Sequence, residues 1–186
     1  MRGRIIQVAM DNINRYGWRK FTINDIAKEL GISKKTIYKY FDSKDEMISA
    51  VVDQYVELEK SGASMALEID GTWSEKLQNV FGGFAPDKPV RVSDELKRFF
   101  PHEWNKIETM RKQRRDQIKE LFFKAMESGE IRSDVNPAVI ELIVLSTMNA
   151  LYDSSNLERI DMTFNQALME FNKILFSGIL QKVNKI

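Results

Sequence analysis

The side chains best placed to do chemistry lie between Thr22 and Lys44, in the run T-I-N-D-I-A-K-E-L-G-I-S-K-K-T-I-Y-K-Y-F-D-S-K. At helical spacing Ile37 and Phe41 fall on one side of the second half of this run, and Lys34, Lys35, Thr36, Tyr38 and Lys39 fall on the other. That outward set offers ammonium, hydroxyl and phenol donors and contains no nucleophile–base pair. Donors of this kind suit phosphate oxygens and base edges. The composition closes most other routes. With His102 as the single histidine and no cysteine, the chain has no Cys-based zinc site, disulfide, thiol nucleophile or two-histidine metal site. A His-dependent triad would have to use His102, which follows Pro101 and reads as a residue at a helix start. There is no Glu-x-x-His pair for a helical di-metal centre and no Gly-rich phosphate loop. No cofactor or metal is expected, and the chain does not read as an enzyme.

Charge separates the two parts of the 186-residue chain, whose total is only +1. Residues 1–44 carry ten basic and four acidic side chains, a net +6, and residues 45–186 carry 18 and 23, a net −5. A basic end on an acidic body points to a polyanionic partner for the N-terminal part. Asp11, Asn12, Asn14 and Arg15 interrupt any signal-peptide core, and the apolar stretch Val139 to Leu151 contains Glu141 and is too short to span a bilayer. The expectation is a soluble, cytoplasmic protein without a membrane partner.

The elements that must position the basic run are helical. Ile5, Ile6, Ala9, Met10 and Ile13 trace one face of a first helix ended by Gly17. Thr22 caps a second helix with Asp25 in its first turn, Ile26, Ala27 and Leu30 inward and Gly31 as its stop. Ala27 allows a close crossing, Gly31-Ile32-Ser33 makes a tight turn, and Ser33 caps a third helix. Two short helices joined in this way form a helix-turn-helix, whose second helix enters a major groove. A fourth helix begins at Ser43, and two ends fit the sequence, one near Lys60 and one near Ile69. Further helices are predicted over Trp73–Phe84, Ser93–Phe100, His102–Ser128, Pro137–Tyr152 and Thr163–Leu180. The fold class is all-α, with about nine helices. A DNA-binding domain at 1–46 is joined by the fourth helix to a larger body at 47–186.

The run Ser33 to Ile48, S-K-K-T-I-Y-K-Y-F-D-S-K-D-E-M-I, resembles the signature of TetR-type transcriptional regulators, as does Thr22-x-x-x-Ile26-Ala27-x-x-x-Gly31-Ile32-Ser33. The resemblance covers about the first 50 residues. It implies that Lys34 and Lys35 reach bases, that Tyr38 and Tyr40 touch phosphates, and that Lys44 approaches the DNA backbone. Many members carry His where this chain has Tyr40. Thr22 matches a capping and phosphate-contact position, and Thr36 and Lys39 match variable contact positions. Ser33, at the head of the recognition helix, completes the DNA-binding set. Ile37 and Phe41 match packing residues.

The resemblance further implies a homodimer that reads two half-sites of double-stranded operator DNA and a body that holds a small-molecule effector. Val139, Ile140, Leu142, Ile143, Val144, Leu145, Met148 and Leu151 wrap too far round one helix for a single buried stripe. In the last helix, Phe164, Leu168, Phe171 and Leu175 form one row and Ala167, Ile174 and Gly178 another. Two apolar faces per helix suit a four-helix interface across a two-fold axis. Candidate effector contacts are Phe81, Phe84, Phe100, Trp104, Met110, Phe122, Met148 and Tyr152, with Trp73, Phe99 and Met126 beside them, which suit a small apolar or amphipathic molecule. Arg111, Lys112, Arg114 and Arg115 read as a solvated basic face, with an anionic effector as the alternative. The expected activity is repression relieved by that effector. The competing reading is a helical adaptor that binds anionic surfaces or a protein partner without reading DNA sequence.

Overall fold

Repeated turns of apolar spacing, closed by Gly, Pro and capping hydroxyls, make this chain helical almost throughout. The computed structural model describes residues 1–82, 94–151 and 154–180. Among the described residues there are ten helices: α1 Arg2–Tyr16, α2 Ile23–Leu30, α3 Lys34–Ile37, α4 Lys44–Glu68, α5 Trp73–Gly82, α6 Asp94–Phe99, α7 Pro101–Glu127, α8 Pro137–Leu151, α9 Ser154–Arg159 and α10 Phe164–Ile179. No strand forms among them, and their β-type contact is an isolated bridge between Ile131 and Leu180. The all-α expectation holds. α4 takes the longer of its two expected courses, and α9 is a short helix that the periodicity did not foresee. No helix among the described residues is long and apolar enough to cross a membrane.

The chain divides into two compact units. The first contains residues 1–58 with α6 and the start of α7 to Thr109, more chain than the 1–46 segment that carries the basic run. Its core joins Ile5, Ala9 and Ile13 of α1 to Ile26 and Ala27 of α2, and includes Trp18, Phe21, Ile37, Phe41, Met47, Val51, Tyr55 and Leu96. Polar ties brace it. The buried Asn12 donates from Nδ2 to the Val8 carbonyl at 2.8 Å and to Glu29 of α2 at 2.9 Å, and Arg15 approaches the same carboxylate at 3.6 Å. The Trp18 backbone N–H donates to Glu95 of α6 at 2.9 Å. Lys106 bridges Asp53 at 2.7 Å and Glu103 at 2.9 Å, fastening the start of α7 to α4. His102 stands exposed beside Glu103 in the first turn of α7.

The second unit holds residues 59 onward of α4, α5, α7 from Met110, and α8 to α10. α10 packs against α5 and α8. Leu77, Val80, Leu121, Phe122, Ala125, Ile140, Val144, Phe164, Leu168 and Phe171 form its core. Each buried aliphatic or aromatic side chain of this kind contributes about 1.5–3 kcal/mol relative to exposure. The start of α5 is held from a distance. Glu130, just past α7, accepts from the Trp73 and Ser74 backbone N–H groups at 3.2 and 2.7 Å and from the Ser74 hydroxyl at 2.6 Å. It satisfies first-turn donors that a helix cannot pair internally. Burial alone would raise the pKa of this carboxyl, but the bonds from Ser74, Ser128 and Trp73 outweigh burial and hold it at about 2. The sign follows from a depressed acid: the stabilisation is complete above the ordinary value of 4.5 and disappears as pH falls through about 2. Urea midpoints measured across that window should therefore fall with acid in the native chain, and the Glu130→Gln variant should start lower and change less.

Candidate nucleic-acid interface and internal cavity

The basic run is built on a minimal scaffold. Thr22 forms a reciprocal capping box: its hydroxyl accepts from the Asp25 N–H at 3.2 Å and donates to the Asp25 carboxylate at 2.7 Å, and its own N–H reaches that carboxylate at 2.8 Å. The Thr22 hydroxyl bond holds the Asp25 carboxyl below its ordinary pKa. Gly31 adopts the left-handed conformation (φ 64°) that closes α2, a shape that costs a side-chain-bearing residue about 1–2 kcal/mol. The Ile32 N–H then returns to the Ala27 carbonyl at 2.9 Å, turning the chain into Ser33. The Ser33 hydroxyl accepts from the Thr36 N–H at 3.1 Å and lies 2.9 Å from the Thr36 hydroxyl. α3 lasts four residues before tightening into i+3 bonds, Lys39 N–H to the Thr36 carbonyl and Tyr40 N–H to the Ile37 carbonyl. Ile37 and Phe41 are buried as expected, whereas Ile32 is only half-buried.

The remaining side chains face water. Lys34, Lys35 and Lys39 are exposed, and among the described residues no carboxylate lies within ion-pair distance of any of them. Tyr38 and Tyr40 are 50% and 39% exposed. Thr36 is half-buried, and Ser33 and Thr22 are exposed, although the hydroxyls of all three already serve caps. Lys44 differs from the other lysines. Its ammonium donates to the Arg19 carbonyl at 2.8 Å and sits 4.1 Å from the centre of the Phe21 ring, and partial burial there lowers its pKa. Arg19 in turn covers the Phe99 ring at 4.2 Å. The sequence reading missed these fastenings, as it missed Asn12 and Glu95. In the sequence Asn12 reads only as one of the polar residues that interrupt a signal-peptide core, and nothing in the primary order links Glu95 to Trp18.

Within the second unit, a cavity of about 120 Å³ opens among Met110, Phe122, Val144, Leu145, Met148, Phe164 and Leu168. Met110, Phe122 and Met148 are three of the eight anticipated contacts. Phe100 and Trp104 are not in its wall: they belong to the first unit, because α7 serves both units and changes allegiance after Thr109. Phe84 and Tyr152 lie outside the described residues, as does the side chain of Phe81. The basic run of α7 departs from the solvated-face expectation. Arg111, Arg114 and Arg115 are half-buried in the cavity wall, and only Lys112 is exposed. Glu59 of α4, which the sequence did not single out, lines the same wall. Arg114 donates to the Glu59 carbonyl at 3.3 Å and to the Val80 carbonyl at 2.6 Å. Burial raises the Glu59 pKa against the opposing pull of Arg114 and Arg111.

An exposed cationic surface on the second helix of a helix-turn-helix is the geometry of a groove reader. Residues 5–51 match the family described as bacterial regulatory proteins, tetR family. The N-terminal segment is similar to that family. The uncharacterized HTH-type transcriptional regulator YvaF of Bacillus subtilis is 25% identical over 95% of this chain and 94% of its own length. In solved structures, a TetR-family regulator from Agrobacterium tumefaciens superposes with a TM-score of 0.77 at 16% identity, covering 97% of each chain. The regulator PfmR from Thermus thermophilus gives 0.73 at 21%, covering 94% of this chain and 97% of its own. These structures share the fold. The family match covers residues 5–51, the segment that contains α1 from Ile5 through α3. Because Lys44 is fastened and Lys35 is not, Lys44→Ala should lower unfolding stability by about 1 kcal/mol. Lys35→Ala should stay within about 0.5 kcal/mol of the native chain. Chemical denaturation of the two variants without DNA checks this.

Proposed function

We propose that this chain is a TetR-type transcriptional regulator, a cytoplasmic, homodimeric repressor that leaves a near-palindromic operator when a small apolar or amphipathic effector enters its body. The observation that carries the reading is the trio Lys34, Lys35 and Lys39, exposed without an acidic partner among the described residues on a helix capped by Ser33. In this reading residues 1–46 form the reader and 47–186 the regulatory body. Lys34 and Lys35 address bases, and Tyr38, Tyr40, Lys44 and Thr22 address phosphates. Thr36, Lys39 and Ser33 add contacts that vary with the operator.

Dimerisation is supported by apolar side chains left in water. On α8, Val139, Leu142 and Ile143 are about half exposed or more, and on α10 Ile174 is 74% exposed and Met169 56%. One recognition helix spans few base pairs, and a two-fold pair reads half-sites about one turn of DNA, or a multiple of it, apart. The route from effector to DNA is α4. It is one helix from Lys44 to Glu68, with Lys44 at its first turn and Glu59 in the cavity wall. An effector that favours one setting of α4 changes the spacing of the two recognition helices and shifts the population away from the operator-competent state.

Selection of bound DNA from a randomised pool should recover a near-palindrome. Recovery of no preferred sequence, with equal affinity for other anionic surfaces, would reject the reading in favour of an adaptor. On the selected operator, Lys35→Ala should change the preferred bases, since one good base contact discriminates by roughly 1–3 kcal/mol. Lys44→Ala should weaken all DNA sequences alike and reduce the salt slope by about 0.9 for the phosphate lost. Ile174→Glu should convert the dimer to monomer in sedimentation and lower operator affinity, while leaving the helical content measured by circular dichroism unchanged.

A further inference from the structure

The cavity of the second unit carries an unusual charge for an apolar pocket. Its wall combines Phe122, Val144, Leu145, Met148, Phe164 and Leu168 with four cations, Arg111, Arg114, Arg115 and Lys119, against two carboxylates, Glu59 and Glu141. Arg111, Arg115 and Lys119 follow one another at i, i+4 spacing on α7 and therefore share one helix face. Lys119 pairs with Glu141 at 3.7 Å, and Arg114 is taken up by Glu59 at 4.0 Å together with the two carbonyl bonds already described. Glu59 is also drawn by Arg111. Arg115 is half-buried and has no carboxylate within ion-pair distance among the described residues. A half-buried guanidinium beside apolar side chains can offer an entering anion a charge-assisted hydrogen bond.

We infer that the cavity receives a compact amphipathic anion, with one carboxylate against Arg115 and an apolar body about the size of a six-membered ring between α7 and α8. The inference deepens the effector reading above and rests on it. Size sets the scale: an apolar cavity of roughly 150 Å³ holds benzene, and this one measures about 120 Å³. Sign sets the charge: a cation would meet a wall with a surplus of two positive charges, and the one deeply buried acid, Glu59, is already answered by Arg114 and Arg111. A neutral molecule would fill the apolar space and leave Arg115 without an anion.

The test is calorimetric titration of the full chain with benzoate, benzyl alcohol and benzylammonium. Benzoate should bind at least about tenfold more tightly than the alcohol, the increment of a charge-assisted hydrogen bond, and benzylammonium should not bind. Arg115→Gln should erase the advantage of benzoate over the alcohol, and Arg115→Lys, which keeps the charge, should retain part of it. Thermal melts without ligand verify that both variants fold. Equal affinity for benzoate and the alcohol, a preference for benzylammonium, no benzoate binding, or a benzoate advantage that survives in folded Arg115→Gln would each overturn the inference. Operator affinity of the same preparation, with and without benzoate, separates the two readings. Benzoate binding without loss of operator affinity leaves the anion site standing and removes the release mechanism, whereas operator binding by a chain indifferent to benzoate removes the anion site alone.

Discussion

A four-residue helix cannot hold itself together in water, because nucleating a helical turn fixes several residues for the gain of very few hydrogen bonds. α3 exists only because its surroundings impose it. Ile37 is fully buried, Ser33 caps its start, and the left-handed turn at Gly31 delivers the chain at the required angle. The surface that carries Lys34, Lys35 and Lys39 is thus the outer side of a segment whose inner side is core. Its lysines are held at fixed positions relative to one another without forming any bond among themselves. That arrangement reduces the ordering required when a groove is engaged.

The same economy explains why polar side chains near the reader divide into two kinds. Asn12 of α1 donates to Glu29 of α2, Glu95 of α6 accepts from the Trp18 backbone N–H, and Asp25 accepts from Thr22 at the start of α2. Lys34, Lys35 and Lys39 are left over from this internal accounting. Lys44 belongs to both kinds: one of its three donor hydrogens is spent on the Arg19 carbonyl and its charge rests on the Phe21 ring. A lysine anchored at its tip presents its remaining donors from a defined place.

α4 contributes residues to both units. Its early residues Met47, Ile48, Val51, Val52 and Tyr55 are buried, and its later residue Glu59 is a buried acid in the cavity wall. The Arg114 bonds to the Glu59 and Val80 carbonyls join α4, α5 and α7 at that wall.

Local chemistry made much of this protein legible in advance. Apolar spacing, Gly17 and Gly31, and the hydroxyls of Thr22, Ser33 and Thr163 determined where helices begin and end, since these signals act within a few residues. The outward lysines followed from the inward Ile37 and Phe41. The sequence could not say that Glu130 would cap α5 from 56 residues away, that Glu95 would hold Trp18, or that the arginines of α7 would turn from solvent into a cavity wall beside Glu59. Periodicity places a residue on a face of its helix, but which neighbour covers that face depends on how distant helices pack. Tertiary structure alone decided that Arg115 would stand half-buried in that wall while Phe100 and Trp104 joined the other unit, because packing assigns partners by proximity in space and helical spacing carries no information about it.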